Sequence, residues 1–103
     1  MEISKKITEH LKNAFGLESG EALEFYAAYA ASLDEALERI EGEASRKNAE
    51  AVAKTAHMIK GGALNCAHSE LAETAKLTEA AAKARDWDAV RVLIAKMQSL
   101  APD

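Results

Sequence analysis

Residues 23–40 carry apolar side chains at alternating steps of three and four along the chain. The positions are Leu23, Tyr26, Ala30, Leu33, Leu37 and Ile40. This spacing matches one face of an α-helix, and such a stripe forms the seam between antiparallel helices in a bundle. The chain has no run of alternating β-branched and polar residues, and no Asn-Gly or Asp-Gly pair that indicates a hairpin. The pattern therefore predicts an all-α fold.

The same spacing predicts four more helices, one before this segment and three after it. Their inward-facing positions are Ile3, Ile7, Leu11 and Phe15 in the first helix, Val52, Ala56, Ile59, Ala63 and Cys66 in the third, Leu71, Ala75, Thr78 and Ala82 in the fourth, and Val90, Leu93, Ile94, Met97 and Leu100 in the last. Four long helices with short connections predict an up-and-down four-helix bundle. The additional short N-terminal helix should end near Gly16 and pack across one end of the bundle as a lid.

Short polar residues mark where these helices should begin. We expect Ser19 to cap the second helix, Asn48 the third and Asp86 the last, because their side-chain oxygens can accept a hydrogen bond from a free backbone N–H. Ser69 should open the fourth helix. Glu21, in the first turn of the second helix, favours the positive end of the helix dipole.

Length and charge limit the classes of function. The 103 residues predict one domain over residues 1–103. The net charge of −4 argues against nucleic acid and anionic membranes as partners, because both need a basic surface. One cysteine excludes an intramolecular disulfide, and the chain shows neither a signal-peptide pattern nor a long apolar run. We therefore expect a cytoplasmic protein that acts as a monomer.

Two adjacent glycines interrupt the third helix, in the stretch AHMIKGGA at residues 56–63. Each interior glycine costs roughly 0.5–1 kcal/mol relative to alanine, so a reason other than helix stability is needed. His57 is displaced by one position from the inward-facing Ala56 and should face solvent. Lys60 and Gly61 follow three and four residues later, on the same face as the imidazole. The arrangement suits a nucleophile that a large partner must approach.

Residues 57–61, His-Met-Ile-Lys-Gly, resemble the motif of histidine-containing phosphotransfer (HPt) domains. The likeness extends to the preceding long helix, to Asn65 eight residues after the histidine, to Leu71 at the start of the next helix, and to the Asp86-Trp87 break before the last helix. The resemblance implies a helical bundle whose exposed histidine accepts a phosphoryl group from a receiver-domain aspartyl phosphate, or returns it. It also implies a phosphoryl carrier without kinase activity of its own.

At the matching positions, the resemblance implies that His57 is the phosphoacceptor and that Lys60 stabilises the phosphoryl oxygens. It also implies that Gly61 is the gap that admits the partner. The implied partners are response-regulator receiver domains and a hybrid histidine kinase. No cofactor or metal is expected on this chain, and Mg²⁺ is expected on the receiver. The chemistry agrees, because a neutral imidazole has a lone pair free to attack phosphorus without a dedicated base.

Two positions depart from the family pattern. Gly62 stands where serine often follows the glycine, which removes a hydroxyl that helps to orient the site. Ala67 stands where glycine is common ten residues after the histidine, and this departure should change only a helix end. Gly62 also has a simpler interpretation, which is close packing between helices.

Two alternatives to a phosphoryl carrier remain open at this point. The bundle could bind a receiver or a kinase without carrying phosphate, or it could be a structural adaptor in which the motif is incidental. Cys66 and His68 make at most a weak metal site, because no second pair of ligands lies at a suitable spacing. We therefore interpret Cys66 as a core residue, His68 and His10 as surface residues, and Trp87 as an anchor between helices.

Overall fold

The computed structural model describes residues 2–101, and within them the side chains of residues 5–18 and 20–101. The chain forms five helices, α1 (Glu2–Phe15), α2 (Ser19–Ser45), α3 (Ala49–Asn65), α4 (Ser69–Lys83) and α5 (Trp87–Leu100). Residues 2–101 contain no strand. Helices α2–α5 form the bundle and α1 is the additional short helix, which confirms the predicted fold class.

The molecule is elongated, with principal dimensions of 43 × 20 × 19 Å. Helix α3 packs against α2 and α4, and α5 packs against α4 and α2. Every inward-facing position predicted for α3 and α4 is buried. Many of these residues are alanines, so the backbones of α3 and α4 can approach closely. Trp87 is half-buried against this core at the start of α5, which confirms its role as an anchor.

Helix α1 builds a second, smaller core at one end of the bundle. Ile7 and Leu11 are buried there together with Ala22 of α2 and with Cys66, the residue that follows α3. Phe15 is 56% exposed, so its predicted inward position is wrong. The helix ends at Phe15 and Gly16 then turns with a φ of 65°, which leaves the ring beyond the packed part of α1. The predicted burial of Ile3 concerns a side chain outside the described ones.

The start of α2 differs from the prediction in two ways. The N-cap is Glu18 rather than Ser19, and the Glu18 backbone N–H donates to Glu21 Oε1 at 3.1 Å. Leu23 is 59% exposed, while its neighbour Ala22 is fully buried. Hydrophobicity alone favours leucine over alanine for the core, but the small side chain of Ala22 allows α1 to pack closely at this position.

The helix junctions after α2, α3 and α4 share one backbone conformation. Asn48 and Asp86 accept hydrogen bonds from backbone N–H groups three residues later, as predicted for N-caps. The residues Lys47, Ala67 and Arg85 each take a positive φ, between 53° and 57°. In this left-handed conformation a Cβ costs roughly 1–2 kcal/mol. A glycine at this position would avoid this cost, so Ala67 carries strain that a change confined to a helix end would not predict.

Ala67→Gly should raise the free energy of unfolding by about 0.5–1 kcal/mol, because the relief of strain exceeds the added freedom of the unfolded chain. Urea denaturation measures the change. Ala84→Gly is the matched control, since Ala84 also follows a helix but has a φ of −82°. The free energy of unfolding of the control variant should not rise. An Ala67→Gly variant that is no more stable than the parent would show that the junction is unstrained.

Candidate functional site

His57 lies on the outer face of α3, with 63% of its side chain exposed. Its neighbours Ala56 and Ile59 are buried at 0% and 4% exposure and fix the orientation of the helix against the bundle. The rotation of about 100° per residue then directs His57 outward. The imidazole is therefore open to a partner, as its spacing predicts.

Glu79 of α4 holds one nitrogen of the His57 ring. Glu79 Oε1 lies 3.3 Å from His57 Nδ1, and Glu79 Oε2 lies 3.3 Å from Lys83 Nζ. Partial burial raises the pKa of the Glu79 carboxyl, but the hydrogen bonds to His57 and Lys83 outweigh it, and the pKa lies below its ordinary value. Glu79 is thus a carboxylate at neutral pH and can only accept a hydrogen bond.

This contact determines where the proton of the neutral ring resides. Because the carboxylate only accepts, Nδ1 must carry the hydrogen that it donates to Glu79. Nε2 then has a free lone pair. The result is an exposed nitrogen nucleophile whose ring is held by a fixed partner on a neighbouring helix.

Sequence reasoning missed Glu79. It lies 22 residues from His57 on another helix, and no spacing rule within one helix joins the two positions. The only local signal is that Glu79 and Lys83 are four residues apart, which favours a pair on one face of α4.

Lys60 and Gly61 share the outer surface of α3 with His57. Lys60 is half-buried, and no ion pair involves it among the described side chains. A Cβ built on Gly61 would meet no atom within 4 Å, so the space one turn beyond the imidazole is empty. A Cβ on Gly62 would lie 3.7 Å from Tyr29 Cε1, an ordinary contact distance. Close packing therefore does not by itself require glycine at position 62.

A groove of about 530 Å³ runs beside His57 between α3 and α4. Its charged lining comprises Glu50, Lys54, Glu79, Lys83 and Arg85. The three cations of this lining outnumber its two carboxylates by one, and Lys83 is paired with Glu79.

One of the other two histidines is not placed as predicted. His68 is only 7% exposed, which contradicts its interpretation as a surface residue. Its Nδ1 lies 3.5 Å from the Tyr29 hydroxyl, Nε2 has no partner among the described residues, and burial lowers the pKa of the ring. His10 is half-buried, with Nε2 3.1 Å from the Asn65 carbonyl oxygen. Of the three histidines, His57 is the one freely open to a partner.

Cys66 is buried in the smaller core, against which Tyr29 packs, and burial raises the pKa of its thiol. It is a core residue at the end of α3, as predicted. In the described part of the chain, no group of three or more histidine, cysteine or acidic residues is arranged to hold a metal ion. None of the described helices is long and apolar enough to span a membrane.

Comparison with known proteins places most of the chain in one family. The family model described as Hpt domain matches residues 24–102, which include α3, α4, α5 and most of α2. The match leaves out α1. No curated protein and no solved structure matches the chain significantly.

Proposed function

The chain belongs to the Hpt domain family, and from that membership we propose that His57 carries a phosphoryl group between the aspartates of response-regulator receiver domains. Domains of this family act in histidine phosphotransfer in two-component phosphorelays, as phosphocarriers and not as kinases. The observation that carries the assignment to His57 is its exposed imidazole, with Nδ1 held by Glu79 at 3.3 Å.

The proposed step exchanges one bond to phosphorus for another. Nε2 of His57 attacks the phosphorus of the receiver's aspartyl phosphate, an N–P bond forms, and the P–O bond to the aspartate breaks and returns a free carboxylate. The ring keeps its hydrogen on Nδ1, and its developing positive charge is stabilised by the Glu79 carboxylate. Donation to a second receiver runs the same step in reverse. No proton has to leave the site.

The protein contributes positioning of the reacting groups and stabilisation of charge, which account for most of the catalysis of phosphoryl transfer. Glu79 orients the ring, Lys60 supplies positive charge on the same face of α3, and Gly61 leaves space for the partner. Mg²⁺ belongs to the receiver in this proposal, and no cofactor is assigned to this chain. A single domain over residues 1–103, a monomeric state and a cytoplasmic location stay predictions.

A transfer assay tests the function directly. The chain is incubated with a panel of phosphorylated receiver domains, and we expect phosphate on the chain that is labile in acid and stable in alkali. Mass spectrometry should locate it on His57. Binding of a receiver without any phosphate transfer would instead support the alternative, an interaction module that has lost transfer.

Lys60→Ala should slow transfer from a receiver about tenfold, because about 1.4 kcal/mol of charge stabilisation of the phosphoryl oxygens is lost. A time course of phosphate labelling, with samples quenched at intervals, measures the rate. Lys96→Ala, which removes an exposed lysine from α5, is the control and should leave the rate unchanged. Equal rates for the two variants would mean that Lys60 is only a solvated surface residue.

Gly61→Gln should stabilise the folded protein and slow phosphoryl transfer. Removing an interior glycine raises the free energy of unfolding by about 0.5–1 kcal/mol, while the new side chain fills the empty space beside His57. We expect transfer about tenfold slower in a protein that melts higher than the parent. Gly20→Gln is the control, because a Cβ at Gly20 also meets no atom within 4 Å. Undiminished transfer in Gly61→Gln would show that the glycine is not needed for access.

A further inference from the structure

A small pocket lies between α2 and α3, on the side of His57 opposite the charged groove. Its volume is about 90 Å³, and its lining includes Tyr29, Ser32, Leu33 and Ala36 of α2 together with Met58 and Gly62 of α3. Gly62 forms part of its wall because it has no side chain. The pocket reaches the surface at Ser32 and Met58, and Met58 is 54% exposed.

The residues that line the pocket carry no formal charge. The segment of α2 from Phe25 to Leu33 contains no acidic or basic residue, although 29% of the chain is charged. Phe25 of this segment is 56% exposed, and several of the alanines after it are exposed as well. An exposed, uncharged surface with two large apolar side chains is typical of a site that a protein partner covers.

The pocket is continuous with the surface around His57. Met58 follows His57 in the chain, and Gly62 is one helical turn beyond Met58 on the same side of α3. A receiver that brings its aspartate to His57 must also cover this area. The two sides of His57 thus differ in chemistry, since α4 offers a charged groove and α2 offers an apolar pocket.

The size of the pocket limits what can enter it. A cavity of roughly 150 Å³ holds a benzene ring, and this pocket, at about 90 Å³, is smaller. This volume matches one aliphatic side chain better than an aromatic ring. The lining is apolar apart from the edges of Ser32 and Tyr29, so a charged or strongly polar side chain would lose its hydration without compensation.

We infer that the pocket at Gly62 receives one aliphatic side chain of the partner receiver domain, and that Gly62 thereby selects which receivers dock on this chain. The inference rests on the proposed function of His57, since the receiver is the partner that covers this surface. It makes Gly62 a specificity-determining residue that touches the partner and takes no part in the chemistry.

Variants at Gly62 test the inference with a receiver from the panel that exchanges phosphate with the parent chain. Gly62→Ala fills part of the pocket, and Gly62→Leu fills it. We expect the Kd for the receiver to rise about fourfold in the first variant, the effect of one lost methylene contact, and at least tenfold in the second. Gly42→Ala is the matched control, because Gly42 is also a half-buried helical glycine, where a Cβ would lie 3.5 Å from Arg46. It should leave the Kd unchanged.

Labelling by phosphoramidate, a small phosphodonor that needs no docking surface, separates this inference from the proposed function. Both Gly62 variants should label at the parent rate. A parent chain that accepts phosphate neither from phosphoramidate nor from any receiver would overturn the proposed function. Receiver binding unchanged in both Gly62 variants would overturn the inference alone. Slower phosphoramidate labelling of the variants would also overturn it, because Gly62 would then serve the chemistry at His57.

Discussion

His57→Gln should abolish phosphorylation of the chain by every receiver and by phosphoramidate. Glutamine has no ring nitrogen to attack phosphorus, but its amide can still donate a hydrogen bond to Glu79. The position is on the surface, so the free energy of unfolding should change by no more than about 0.5 kcal/mol. Labelling and thermal denaturation of one preparation measure both effects.

His10→Gln is the control for this experiment and should accept phosphate as the parent does. His68 is a poor control because its side chain is buried and its replacement would disturb the core. Phosphate that persists on His10 or His68 in the His57→Gln variant would refute the assignment.

Glu79→Gln should slow transfer by about 10- to 100-fold, the loss that is typical when the carboxylate that orients a metal-bound histidine is removed. The amide of glutamine can donate as well as accept, so it no longer requires the hydrogen to be on Nδ1 of His57. It also removes the negative charge that stabilises the ring in the transition state. The rate of receiver-dependent labelling measures the effect.

A role of Glu79 in positioning has a signature that a purely structural role lacks. The ¹⁵N chemical shifts of the His57 ring should report hydrogen on Nδ1 in the parent and a mixture of the two neutral forms in Glu79→Gln. Glu73→Gln, which removes an exposed carboxylate from the same helix, should change neither the shifts nor the rate. Parent-like shifts in Glu79→Gln would mean that the contact at 3.3 Å does not control the ring.

The pH dependence of this contact follows from the lowered pKa of Glu79. A carboxylate whose pKa is depressed in the folded protein contributes stability above the ordinary pKa of glutamate, and that contribution is lost as pH falls through the folded pKa. Glu79 therefore stays ionised throughout the neutral range, in which His57 must hold its hydrogen on Nδ1.

The apolar spacing of the sequence was sufficient to predict the five helices and the buried faces of α3 and α4. The predicted inward positions of α3 and α4 are all buried, and His57 faces solvent one position away from Ala56. The caps at Asn48 and Asp86 were equally predictable, because they depend on residues three positions apart. These features follow from local geometry, since the helical period determines which residues share a face.

Features that depend on contacts between helices could not be read from spacing. Ala22 and not Leu23 is buried because α1 packs there, and His68 is buried because Tyr29 of α2 lies beside it. The pocket at Gly62 likewise forms between two helices.

The sequence by itself determined an all-α bundle with an exposed histidine, followed by a lysine and a glycine on one helical face. Only the tertiary structure decided that Glu79 holds the ring of that histidine, that an apolar pocket flanks it, and that the other two histidines are less accessible. The physical reason is the register between helices. A period of 3.6 residues determines the direction of a side chain from its own helix, whereas the residue that it meets depends on how far the neighbouring helix is shifted along the bundle.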